Sequence, residues 1–262
     1  MRIGETAMIA TRMYNANLNA ASRIMNSLAT GFRINRAADD PAGLISSLNL
    51  SSSLQRLDAE SRSLSRTDLT LSAADGAMTE VSDLLNDAEG LAVASASTGG
   101  ASPEEREAMQ LEFDSIMQSV DRLASSSGFN GRRLFDGRMT LGVGEDSITL
   151  SKLSTHDLGL SGASLAGGDP QATIDAIRAA RAHMTAARAE VGAFQKDAIA
   201  PRVRAMAIAS ENTASAVSII RDTDYAAAFS AYARQGALIS ASGASLNATN
   251  ASANGVLKIL GG

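Results

Sequence analysis

The chain has 262 residues, with 23 Lys and Arg against 28 Asp and Glu and a formal net charge of −5. No basic stripe is present to neutralise phosphates, which argues against nucleic acid as a partner, and 3% aromatic content with no Trp argues against a bulky globular core. Cysteine is absent, which excludes disulfide stapling and thiol chemistry, and no apolar run approaches the roughly eighteen residues of a membrane span.

The first residues, Met1-Arg2-Ile3-Gly4-Glu5-Thr6, lack the apolar block and cleavage site of a secretory signal. A first helix is expected from about Glu5 to Phe32, with Tyr14, Leu18, Ala21, Met25, Leu28 and Phe32 in a 4-3-4-3 apolar stripe. Gly31, Asn35, Asp39, Asp40, Pro41 and Gly43 then crowd into a structured connection. A long second helix follows from about Leu44 to Ser97, and Leu50, Leu54, Leu57, Leu64, Leu71, Ala74, Met78, Val81, Leu85, Ala88 and Ala92 hold heptad phase along it. Ser102, Pro103 and Glu105 form a capping box that opens a third helix, whose stripe is Met109, Phe113, Ile116, Val120 and Leu123.

Past Ser127-Gly128 the period changes. Met139 to Val143 and Ser147 to Leu150, joined through Gly144, predict a short β-hairpin. Asp169-Pro170 caps another helix, with Ile174, Ile177, Met184, Val191 and Phe194 on its stripe and Val203, Met206, Val217 and Ile220 continuing it. Pro201 lies inside that run, so a kink or break is expected near Ile199. The last helix carries an unbroken seam through Tyr225, Phe229, Tyr232, Gly236, Ile239, Gly243, Leu246, Asn250, Ala253, Leu257 and Leu260. Arg234 and Lys258 are its only charges, and Ala, Ser, Asn and Gly fill its other faces. A solvated helix normally carries many charges outside. This one reads as surrounded by protein, and one chain offers too little material to surround it.

The pattern predicts a mainly α protein, a long antiparallel helical bundle or coiled coil with one small β-hairpin, elongated, with its two ends paired. Three parts are expected: an N-terminal arm at 1–43, a core helical bundle at 44–222 with its hairpin near 139–150, and a C-terminal arm at 223–262. Catalytic, cofactor-binding and metal residues are not expected. His156 and His183 are far apart and lack a Glu at ligand spacing. Asp39-Asp40 in a Pro/Gly turn reads as capping. The methionines read as packing elements, and the Ser-rich tracts as helical filler or as glycosylation sites. The candidate functional residues are therefore the terminal seams, and the connector charges Arg33, Asp39, Asp40, Arg221, Asp222 and Asp224, expected to set connector geometry by charge pairs within or between copies.

Several stretches carry a family resemblance. Leu28-Ala29-Thr30-Gly31-Phe32-Arg33-Ile34-Asn35-Arg36-Ala37-Ala38-Asp39-Asp40-Pro41-Ala42-Gly43 resembles the N-terminal signature of bacterial flagellin. Ser210-Glu211-Asn212, Ile220-Arg221-Asp222-Thr223-Asp224-Tyr225-Ala226 and Val256-Leu257-Lys258-Ile259-Leu260 resemble its C-terminal motifs. Gly128-Phe129-Asn130-Gly131-Arg132-Arg133-Leu134-Phe135-Asp136-Gly137 is similar to the stretch before its core hairpin.

The resemblance implies a subunit that self-polymerises into the extracellular flagellar filament, exported unfolded through the flagellar type III channel. Its terminal helices would order on assembly and line a central channel. It further implies hook-associated and filament-cap proteins, an export chaperone and the export gate as partners. Outer variable domains are not expected, since only about Ser151 to Asp169 is available for them. Flagellins recognised by an innate immune receptor carry an Arg on the long core helix where this chain has Glu89, so that recognition is not carried over. A hook–filament junction protein, with similar helical ends, is the alternative. A coiled-coil binding module or toxin fits the nearly uncharged C-terminus poorly.

Overall fold

Among the described residues of the computed structural model, 2–97, 102–166 and 169–260, the chain forms six α-helices and two small hairpins. In order these are α1 (Arg2–Thr30), α2 (Pro41–Ser97), α3 (Pro103–Ser126), β1 (Gly128–Phe129), β2 (Arg132–Arg133), β3 (Thr140–Val143) and β4 (Asp146–Thr149). Then come α4 (Pro170–Phe194), a π-helical turn (Gln195–Ile199), α5 (Ala200–Arg221) and α6 (Tyr225–Leu260). The mainly α class is as expected. By contact density the chain divides into two units, Met1–Arg56 with Ala209–Gly262, and Leu57–Ile208.

Unit two holds the core. The heptad face of α2 is buried from Leu64 through Leu71, Ala74, Met78, Val81, Leu85 and Ala88 to Ala92, in one cluster with Phe113 and Val120 of α3 and Ile174, Ile177, Met184 and Val191 of α4. Ion pairs fix the direction of these helices. Arg188 Nε donates to Asp75 at 2.8 Å, Arg178 and Arg181 both donate to Glu89, and Arg202 reaches Glu60 at 3.4 Å. The α2 numbers rise as the α4–α5 numbers fall, so the two run antiparallel.

Local chemistry sets the element ends. Ser102 Oγ accepts from the Glu105 backbone N–H, and the Glu105 carboxylate accepts from that of Ser102, closing the expected box. Asp169 caps α4 through the Gln171 N–H. The predicted hairpin is present, pairing Thr140 with Thr149 and Val143 with Asp146 around Gly144 at φ 68°. A second hairpin, β1–β2, was not expected from the sequence. Asn130 and Gly131 turn it with φ 51° and 77°, the positive pair a tight two-residue hairpin loop demands.

Pro201 acts one turn upstream. It has no N–H and would crowd the carbonyl four residues back, and the helix answers with the wide π turn instead of a break. Ala200 N–H reaches back five residues to the Gln195 carbonyl, and Gln195 Nε2 bonds the Asp68 carboxylate of α2 at 2.9 Å.

The segment after β4 has almost no regular structure yet stays tied down. Leu150, Leu153, Leu158, Leu160 and Leu165 enter the core cluster. Asp121 of α3 takes the N–H and hydroxyl of Thr155, while Gln110 Oε1 accepts from Ser164, Leu165 and Ala166.

Candidate assembly surface

In unit one, α1 and α6 pack along each other. The residues covered on α1 include Ala7, Ala10, Tyr14, Asn17, Ala21, Ile24 and Leu28, and on α6 Ala228, Ala231, Tyr232, Gln235, Ile239, Ser242, Gly243, Leu246 and Thr249. Of the candidate seam, Tyr14, Leu28, Phe32, Tyr232, Ile239 and Leu246 are half-buried. Leu18 (41% exposed), Met25 (45%), Tyr225 (57%) and Phe229 (66%) are not. The side chains of Leu257 and Leu260 lie outside the described residues. The two helices therefore meet on a mixed seam, with alanines and polar residues between the larger Tyr14, Ile24, Leu28, Tyr232, Ile239 and Leu246, while a second set of large apolar side chains stays exposed in the single chain. Met8, Ile9, Met13 and Leu238 add to that exposed set.

The middle of this seam holds a polar lock that sequence reasoning missed. Gln235 Nε2 donates to Asn17 Oδ1 at 2.8 Å and to the Asn17 carbonyl at 3.1 Å, and Asn17 Nδ2 donates to Ser242 Oγ and the Leu238 carbonyl. Half-covered amides that must find one another fix a single register, as a lone polar core residue does in coiled coils. Asn17 lay one position off the apolar stripe. An Asn inside an apolar heptad was the available signal.

The connectors on either side of the seam are joined through their backbones. Arg33 N–H donates to the Arg221 carbonyl at 2.7 Å, and Thr223 N–H to the Gly31 carbonyl at 2.8 Å, making an antiparallel bridge between Phe32 and Asp222. Gly31, at φ 76°, ends α1 in the left-handed conformation that glycine favours. Asp40 caps α2 by accepting the Gly43 N–H at 2.8 Å, and Asp224 caps α6 through Ala227 N–H at 3.0 Å. Asp39 accepts from the N–H groups of Asn35 and Arg36. Arg33 donates to the Ile220 carbonyl, and the Arg221 guanidinium lies 4.2 Å from the centre of the Phe32 ring, a cation–π contact.

Within the chain, none of Arg33, Asp39, Asp40, Arg221, Asp222 and Asp224 makes an ion pair among the described residues; Arg33, Asp39, Asp40 and Asp224 bond backbone groups. Two buried atoms here, Arg221 Nε and Thr223 Oγ1, have no hydrogen-bond partner. His156 and His183 are both exposed. The described residues contain no cluster of three or more His, Cys, Asp or Glu able to hold a metal, and no helix among them is long and apolar enough to cross a membrane.

Comparison with known proteins matches both halves of this arrangement. Residues 5–140 match the N-terminal helical region of bacterial flagellin, and residues 174–260 its C-terminal helical region. A flagellin of Halalkalibacterium halodurans is 32% identical, with 97% of each chain covered. The flagellar filament 30.7 kDa core protein of Treponema maltophilum is 30% identical, again over 97% of each. A solved structure of a putative flagellar hook-associated protein from Vibrio parahaemolyticus is similar in fold, with a TM-score of 0.58 at 17% identity over 71% of this chain and 99% of that one.

Proposed function

This chain belongs to the bacterial flagellin family, structural filament proteins and not enzymes, and from that premise we propose that α1 and α6 polymerise it and become fully ordered only in the polymer. It is a structural subunit of the flagellar filament. The single observation that carries the assembly reading is the exposed apolar surface of the terminal helices, with Met13 at 60% and Phe229 at 66% beside a seam whose own apolar residues are only half-buried. Such a helix pair buries too little apolar area by itself to offset the entropy of ordering two long segments. Copies that cover Leu18, Met25, Tyr225, Phe229 and the stretch through Leu257 and Leu260 supply the missing burial.

The division of labour follows. Residues 1–43 and 223–262 serve as inner, channel-lining arms, and 44–222 as the part that folds first. An arm that is loose in the monomer suits export of an unfolded chain through the flagellar type III channel, with an export chaperone holding it and the export gate receiving it. Hook-associated and filament-cap proteins are then the partners at the two ends of an extracellular filament. The connector charges act at contacts between copies.

Electron microscopy of the purified chain, with and without residues 225–262, tests this reading. Long filaments from the full chain and none from the truncated one are expected. Filaments from the truncated chain would overturn the role of α6, and short closed assemblies from the full chain would favour a junction protein.

A further inference from the structure

Where α1 ends and α6 begins, unit one has a groove of about 1010 Å³. Half-buried Ile24, Ala228 and Ala231 give it apolar ground, and exposed Arg23, Arg33 and Arg36 line it as well. Two acids share the groove, but both are engaged with backbone: Asp39 accepts from Asn35 and Arg36, and Asp224 from Ala227. Among the described residues no guanidinium of the three meets a carboxylate. Among the described residues the Arg33 guanidinium bonds only the Ile220 carbonyl, a neutral acceptor, which leaves its charge uncompensated. Thr223, also in the lining, has a buried hydroxyl with no partner. The unit around this groove carries nine Lys or Arg against six Asp or Glu, while Leu57–Ile208 carries fourteen against twenty-two. Opposite net charges on two parts of one chain favour a contact in which one part of a copy meets the other part of its neighbour.

The complementary surface lies on α3. Leu111 is 66% exposed on the face turned away from the core. Glu107 and Glu104, one and two turns earlier, share that face, and Glu112 flanks it. None of these three acids is ion-paired among the described residues. Arg106 falls outside this face by helical periodicity. An apolar side chain within a collar of three acids matches an alanine-rich groove lined by three arginines.

We infer that this groove is a socket for the Leu111 face of α3 from a second copy of the chain. The inference rests on the filament reading and says which surfaces meet: a heterologous contact that repeats from copy to copy and therefore propagates. Arg23, Arg33 and Arg36 pair with Glu104, Glu107 and Glu112 across it, and Leu111 seats against Ile24, Ala228 and Ala231.

Charge exchange tests the socket. R23E/R36E and E107R/E112R, each folded with the wild-type melting temperature, should each raise the critical concentration for polymerisation at least tenfold. An equimolar mixture of the two should return it to within about threefold of wild type, because each groove then meets an opposite charge. Wild-type polymerisation by either variant, or no rescue in the mixture, overturns the socket. A second measurement reads the contact whether or not filaments form. The chain has no cysteine, so a variant carrying A38C and L111C should give a ladder of disulfide-linked oligomers on oxidation, while each single-cysteine variant stops at the dimer. A ladder without filaments would sink the filament reading and keep the socket; filaments without a ladder would do the reverse.

Discussion

Gly31 holds two helices' ends at once: its φ of 76° terminates α1, and its carbonyl accepts the Thr223 N–H that starts the approach to α6. A Cβ there would also stand 3.1 Å from the Tyr225 hydroxyl. Gly31→Ala is expected to cost about 1–2 kcal/mol from the left-handed backbone alone, read as loss of filament yield with the melting of unit two unchanged. Glu89 acts in the other unit. Hydrogen bonds from Arg178, with Arg181 adding to them, hold its carboxyl below the ordinary carboxylate range, while partial burial opposes them. A carboxyl whose folded pKa is depressed contributes stability at neutral pH and loses it as pH falls through that depressed value. Both arginines are about half exposed, so solvent screening keeps the effect near 1 kcal/mol. Glu89→Gln should therefore lower the melting temperature at pH 7 and make no difference at acid pH, where wild-type Glu89 is itself neutral; an equal loss at both would remove the ion pair from the account.

Helix pairs differ in what joins them. In unit two the seam of α2 is apolar, and Leu71, Ala74, Val81 and Leu85 are fully covered. Leu71→Ala is expected to cost about 2–5 kcal/mol, measured by urea denaturation, and to spare the α1–α6 pair. In unit one the seam mixes alanines, Tyr14, Tyr232, Ile24, Leu28, Ile239 and Leu246 with the Asn17–Gln235–Ser242 lock. Replacing Asn17 and Gln235 together by Leu should raise the melting temperature of the terminal pair while broadening the set of species seen by sedimentation, because apolar seams do not choose one register. A single sharp species from that double variant would show that the amides do not set register. The stripes chosen from sequence explain the difference in legibility. On α2 the largest side chains define the buried face, so periodicity found it. On α1 and α6 the large side chains are divided: Tyr14, Leu28, Tyr232, Ile239 and Leu246 are half-covered in the pair, while Leu18, Met25, Tyr225 and Phe229 are exposed, so periodicity alone did not separate the two sets.

The whole molecule is a folded unit joined to a terminal helix pair that is under-buried in the single chain. Amide exchange reads that asymmetry directly. In dilute monomer, α6 from Tyr225 to Leu260 should exchange orders of magnitude faster than the Leu71–Leu85 stretch of α2, and in filaments the two should be comparably protected. Full protection of α6 in the monomer would remove assembly as its source of order.

The residues alone determined the helical class, the position of every long helix to within a few residues, the Ser102 box, the main hairpin and the absence of catalytic motifs. These depend on local spacing and capping, and local physics writes them into adjacent residues. Tertiary structure decided the rest. Where a kink or break was expected near Ile199 it shows a π turn whose Gln195 bonds Asp68 of α2, and it joined the two connectors through the Phe32–Asp222 bridge. It also set the Asn17–Gln235–Ser242 lock among the apolar residues of the α1–α6 seam and left Leu18, Met25, Tyr225 and Phe229 exposed, because which side of a helix is covered depends on a partner far away in the chain.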